Sequence, residues 1–337
     1  MGGFLIFRKV YGFILQGINL LNSGAVPRAS RGELIALFLI SFLFLFPALK
    51  AQINMEDSTV QVIGYWDKNE KQSYLIHEKK VTLESGDTTS FQEYTYNVDI
   101  QIVDSTAESY TVEWKYYNYK YVSGPEELKT ILTAYQPTKV LLKTDEMGVL
   151  AEVLNSAEIS SAMSKRLKNL LKKHKSDQYL VAEFTSLLER YNSKEAVEQL
   201  ALIEIQQYYN YHGAKYKLNE NFSATVKSPF MNIEEGIDAE LNVWLSEINS
   251  DDNNFIIQMS KIIDEETMKK LMYEEAKNDP ELTPDEMPEL HDMPELKVET
   301  WAASRIHNSG WIVYSVQSIE VLFDSEKSTE ERIIELL

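Results

Sequence analysis

Ile237-Asp238-Ala239-Glu240-Leu241-Asn242-Val243-Trp244-Leu245 puts an apolar side chain at every odd position, with Asp, Glu and Asn at three of the four between. A period of two is the mark of a strand with one face on a core and the other in water. The pattern extends both ways. Phe222, Ala224 and Val226 alternate before Pro229; Phe255, Ile257, Met259 and then Lys261 resume after the polar turn Asn249–Asn254. Strands joined by short polar turns form an antiparallel meander.

The same period governs the early chain. Tyr94, Tyr96, Val98, Ile100 and Ile102 alternate, the segment 104–108 turns, and Tyr110, Val112, Trp114 and Tyr116 alternate back. Beyond Tyr116 the rings of Tyr117, Tyr119 and Tyr121 fall on both faces, and Gly124-Pro125 stops the strand. A hairpin follows through Asp145-Glu146-Met147-Gly148. Late in the chain, strands over 300–306 and 311–323 join through Asn308-Ser309-Gly310, and the tail from Glu330 suits strand or helix.

Between the two sets of strands the period changes to that of a helix. Ile159, Met163, Leu167 and Leu170 follow the cap candidates Asn155 and Ser156, with lysines on the opposite side. Asp177 caps a second helix through Leu180, Phe184 and Leu187, and Ser193 a third that stops at Gly213. Asp264 caps a fourth, acidic one through Met268, Met272 and Ala276. Strands remote in sequence around one helical block predict an α+β fold. Its expected form is a large curved antiparallel sheet with a three-helix insert, 156–212, on one face.

Two segments fall outside that domain. Leu34 to Phe46 is an apolar run, interrupted by Ser41 alone, behind Arg28 and Arg31 and followed by Pro47 to Ala51. This is the layout of a signal peptide, too short to cross a bilayer. Residues 1–51 are therefore expected to be removed by cleavage between Ala51 and Gln52, leaving 52–337 as one exported domain, periplasmic or secreted. With no Met between Met1 and Met55 and a second apolar run over Phe4–Leu21, translation is expected to start near Val26. The second segment, 279–296, holds four of the nine prolines. Its near-repeat, Asp285-Glu286-Met287-Pro288-Glu289-Leu290 then His291-Asp292-Met293-Pro294-Glu295-Leu296, reads as an acidic extended loop.

Charge and cysteine usage narrow the function. The chain carries 33 basic and 52 acidic residues, a net charge of −19. Without the five basic and one acidic residue of 1–51 it becomes −23. Such a surface repels nucleic acid and anionic head groups, so no nucleic-acid partner is expected. Membrane contact is expected only through an uncleaved signal segment. There is no Cys, hence no disulfide and no thiolate chemistry. No nucleophile elbow, phosphate loop or His-Glu-x-x-His occurs, so no catalytic residues are assigned and no cofactor is expected. Nor is a metal: the nearest approach to a ligand set is Met287, His291 and Met293 in the acidic loop.

The candidate binding surface is aromatic: Tyr110, Trp114, Tyr116, Tyr117, Tyr119 and Tyr121. Rings on a sheet face stack on sugars or line an apolar groove; equally, they pack a strand beneath helices. The basic stretch Lys165–Lys175 reads as the solvated face of its helix.

Several of these pieces occur together elsewhere. The Leu142-Lys143-Thr144-Asp145-Glu146-Met147-Gly148 hairpin, the helix start Asn155-Ser156-Ala157-Glu158-Ile159 and the turn His307-Asn308-Ser309-Gly310-Trp311 resemble uncharacterised exported proteins of Bacteroidota-type bacteria, which carry no known activity. A remoter likeness, of architecture alone, is to the half-barrel lipoprotein carriers of the periplasm. The resulting expectation is a non-enzymatic binding or envelope-associated protein that holds an apolar or glycan ligand, or a partner segment, in a sheet–helix cleft. The alternative is a hydrolase with an unrecognised site, which would bring two or more polarisable side chains together in a pocket.

Overall fold

The computed structural model describes residues 52–337 apart from 136–137, 192, 231–232 and 279–288. The expected signal segment with Ala51, and Met287 with most of the acidic loop, lie outside the described residues.

The chain forms fourteen described strands and five α-helices. β1 (Ile53–Asn54) and β2 (Thr59–Gln61) are short; β3 (Lys71–Glu84), β4 (Asp87–Ser105) and β5 (Ser109–Ser123) are long. After α1 (Glu126–Leu132) come the hairpin strands β6 (Thr138–Asp145) and β7 (Leu150–Val153). The insert is α2 (Ser156–Lys173), α3 (Gln178–Arg190) and α4 (Lys194–Tyr209). Then follow β8 (Lys215–Lys217), β9 (Asn221–Phe230), β10 (Ile233–Asn249) and β11 (Asn254–Ile263), α5 (Glu265–Asn278), and β12 (Leu296–His307), β13 (Ile312–Phe323) and β14 (Glu326–Leu336).

Eleven strands make one antiparallel sheet in the order β7-β6-β5-β4-β3-β14-β13-β12-β11-β10-β9. The tail decides this topology. β14 pairs with β13 on one side and with β3 on the other, so it joins the strands before the insert to those after it. Its alternation alone left strand or helix open; two neighbours offering unpaired backbone groups settle it as strand. β1, β2 and β8 form a separate small sheet whose Val60 lies in the core.

The inner face of the sheet carries two cores. In the first, Val98, Ile100, Val112, Trp114, Val140 and Leu142 meet Ile159 and Met163 of α2 and Val197, Ile205 and Tyr208 of α4. In the second, Ala239, Ile263, Leu296, Val298 and Val321 meet Met268, Met272 and Ala276 of α5. A third cluster, with Leu167, Leu180, Phe184 and Leu187, welds α2 to α3. The helices thus bury the apolar stripes that their periodicity foretold.

Four local expectations change in detail. The end of the expected loop is already strand: Leu296 pairs with Phe323 and is fully buried. Pro294 stands just ahead of it, where no ladder N–H is needed. Asn155 precedes α2, yet its side chain makes no cap. Instead Oδ1 accepts from the Leu141 N–H at 2.8 Å and Nδ2 donates to the Lys139 carbonyl at 3.0 Å, fastening the helix start to β6. The stop at Gly124-Pro125 opens α1, whose first turn is acidic as a helix N-terminus prefers. Finally, the broken alternation after Tyr116 is a β-bulge at Asn118, which has φ 60°.

Candidate functional site

The bulge explains the rings. Trp114 and Tyr116 point to the inner face opposite Ile100 and Val98; Tyr117 points outward. Asn118 inserts one extra residue, and the phase slips. Tyr119 therefore returns to the inner side and stacks on Tyr96, centroids 4.7 Å apart and planes 17° apart. Tyr121 pairs with Tyr94, and its hydroxyl donates to the Gly124 carbonyl.

The fold brings five of the six aromatic candidates onto one side of β5 but fills their faces from within. Trp114 and Tyr116 are buried, and Trp114 meets Tyr208 edge-on at 5.3 Å. Tyr110 donates to the Gly64 carbonyl at 2.9 Å and abuts Trp66. Lys129 of α1 lies 4.7 Å over the Tyr121 ring. On the outer face, Tyr117 donates to Asp99 at 3.0 Å, beside the Lys71–Asp99 ion pair.

Behind these rings lies a histidine that its sequence neighbours do not mark. His212, just past α4, is buried among Trp66, Tyr208 and Tyr209. Its Nε2 donates to the Gly310 carbonyl at 3.0 Å. Burial pushes its pKa down to about 4, so the ring is neutral at pH 7. The same desolvation drives the phenols of Tyr74, Tyr208 and Tyr209 well above their ordinary value. These groups cannot ionise near neutrality.

The two described metal candidates, His291 and Met293, do not converge. Met293 is buried in the α5 core, whereas the His291 side chain is 74% exposed beside Glu289 and Asp292. Among the described residues no group of three or more His, Cys, Asp or Glu could hold a metal. Gln52, the expected first residue after cleavage, is buried, and its amide donates to the Ile63 carbonyl.

The inner face is not apolar throughout. Between the two cores one row of directly opposed residues crosses eight strands. Ala224, Leu241, Lys261 and Thr300 form one half; Ile319, Glu330, Lys80 and Gln92 form the other. One step along the strands lies a parallel row that includes Phe222, Val243, Met259, Gln317, Arg332 and Glu78. In the middle of this seam the charges are matched: Lys80 pairs with Glu330, and Arg332 with Glu78. Towards the β9 edge Phe222 is 60% exposed, and Ala224, Leu241 and Lys261 are half-buried. A separate depression of about 370 Å³ lies at the Asp264 end of the sheet, its lining including Asp238, Glu240, Asp264, Glu265, Lys297 and Glu299.

No known family model matches this chain, and no curated protein does. The resemblance to exported Bacteroidota-type proteins therefore rests on its residue pattern alone. Among solved structures, the chain is similar to one described as "lipid-protein interactions in lipovitellin", at 9% identity and a TM-score of 0.39. That match covers 80% of this chain and 25% of the other, so the chain spans about a quarter of its length. A hot dog fold protein of unknown function from Alicyclobacillus acidocaldarius gives a TM-score of 0.11 at 8% identity, with 80% of each chain covered. Neither score establishes a shared fold. Among the described residues no helix is long and apolar enough to cross a membrane.

Proposed function

We propose that this is an exported, non-enzymatic binding protein that holds an apolar ligand on the inner face of its sheet, in the seam between the helical insert and α5. One observation carries the reading. The row that is buried at Ala302 and Met259 continues without a break into exposed Phe222 at the sheet edge, next to half-buried Leu241. An apolar surface continuous with a core favours an apolar cover.

A glycan is less well served. The rings that would stack on sugars, Trp114 and Tyr116, are covered by the fold itself. The hydrolase alternative finds less support still. The inner-face carboxylates Glu78 and Glu330 are ion-paired, and His212 is closed in with its Nε2 on a carbonyl. Export is supported by the apolar run Leu34–Phe46 behind Arg28 and Arg31, and by the absence of Cys.

The test uses the purified full chain and 1-hexadecanol, an uncharged sixteen-carbon probe, followed by calorimetry and native mass spectrometry. Saturable one-to-one binding is expected, weakened about tenfold or more by Leu241→Glu in a variant that keeps its circular dichroism, because that carboxylate would be desolvated by the ligand. Absent binding, or binding indifferent to Leu241→Glu, overturns the proposal.

A further inference from the structure

We propose that Lys261 receives the anionic head group of this ligand, a carboxylate on a single-chain amphiphile. The inference rests on the seam reading above and names the chemistry of its occupant. Lys261 stands inward from the middle of β11, between Leu241 of β10 and Thr300 of β12. Its neighbours along the strand on the same face, Met259 and Ile263, are both buried core residues. An aliphatic side chain would suit that setting.

The ammonium is poorly satisfied where it is. Its Nζ donates to Ser228 Oγ at 3.2 Å, and among the described residues no carboxylate lies within ion-pair distance. A cation taken from water without an anion is costly. Burial accordingly lowers the Lys261 pKa. The other inner-face cations differ: Lys80 and Arg332 each hold a glutamate. Those glutamates cannot reach Lys261, since three strand spacings, about 14 Å, separate β11 from β14. In a chain with 52 acidic residues, this half-buried inner-face lysine has, among the described residues, a hydroxyl for its partner and no carboxylate. Its ammonium fits one negative charge. The half-buried side chains of Leu241 and Ala224 and the exposed ring of Phe222 lead from it along the sheet edge, where an acyl chain would lie.

The experiment titrates the full chain with palmitate below its micelle concentration and with 1-hexadecanol, in wild type, Lys261→Met and Lys261→Arg. Palmitate should bind wild type more tightly than the alcohol. Lys261→Met should weaken palmitate about tenfold or more and leave the alcohol unchanged, while Lys261→Arg should keep palmitate within a few-fold. Lys261→Met should also unfold at the same or higher denaturant, because it removes a partly desolvated charge that has no carboxylate partner among the described residues. If palmitate and the alcohol bind equally and Lys261→Met changes neither, the head-group assignment is overturned and the seam reading stands. If wild type binds neither probe, the seam reading itself has failed. A marked loss of stability in Lys261→Met with unchanged palmitate affinity would make the lysine structural and overturn the proposal.

Discussion

Tyr74 on β3 and Tyr208 on α4 meet edge-on with their hydroxyls 3.0 Å apart, across 134 residues of sequence. Both are fully buried, and the Tyr208 oxygen also lies 3.4 Å from the Ile312 N–H on β13. The pair ties the insert to two strands that are not neighbours. Removing the Tyr208 hydroxyl leaves that of Tyr74 unsatisfied, and removing that of Tyr74 leaves Tyr208 with the long Ile312 contact, so Tyr74→Phe or Tyr208→Phe should each cost roughly 1–3 kcal/mol. The double variant should cost less than the sum of the two. Urea midpoints for the four proteins give the cycle; additive single effects would show that the two hydroxyls are not coupled.

His212 makes stability depend on pH. Its folded pKa of about 4 lies below the ordinary histidine value of 6.5, so the unfolded chain binds more protons between those values. The contribution is complete above pH 6.5 and is lost as pH falls towards 4. A shift of this size corresponds to about 3 kcal/mol. The difference in unfolding free energy between wild type and His212→Gln should shrink by that order from pH 7 to pH 4. A difference that stays constant would mean that the imidazole is not desolvated.

Gly310 closes the β12–β13 turn with φ 83°, and its N–H donates to the His307 carbonyl at 2.8 Å. A Cβ there would stand 2.4 Å from the Ile63 carbonyl oxygen, which is backbone and cannot swing away. Gly310→Ala combines a left-handed conformation with that clash and should cost about 2 kcal/mol or more. It should also loosen His212, which donates to the Gly310 carbonyl. An unchanged melting temperature would show that the turn relaxes freely.

The Asn118 bulge is open to a similar test. Asparagine tolerates φ 60° better than most residues, and here its Nδ2 also donates across to Asn97 Oδ1 on β4 at 2.6 Å. Asn118→Val should destabilise by about 1–2 kcal/mol. Asn118→Gly should be close to neutral, since glycine adopts this φ at no steric cost. Thermal unfolding of the two variants checks the pair. Equal behaviour would mean that the strand can straighten, at which point the Tyr119–Tyr96 stack would be lost.

How legible the molecule was in its sequence differs from element to element. The alternation of Ile237–Leu245 and of Tyr94–Ile102 is visible because one buried face imposes a period of two on any strand. Asp177 caps α3 as its position suggests, with Oδ1 accepting from the Leu180 N–H at 3.1 Å. Asn155 looked like the same device and serves a different one, because a cap and a strap to a neighbouring strand use the same side chain. Lys261 reads in sequence as an alternation running out. Only the residues opposite it, Leu241 and Thr300, show that it still points inward.

Local pattern alone, then, determined most of the strands, the three helices of the insert and α5, most turns and an α+β fold built on a large antiparallel sheet, since each follows from which atoms the chain must hide within a few residues. Pairing decided the rest. That β14 bridges β3 and β13, that five of the six rings from Tyr110 to Tyr121 face inward across a bulge, and that Lys80 and Arg332 find glutamates while Lys261, among the described residues, finds a serine hydroxyl are all contacts between distant segments. A sequence specifies the energy of each side chain's surroundings, but which surroundings it meets is set only when remote strands come into register.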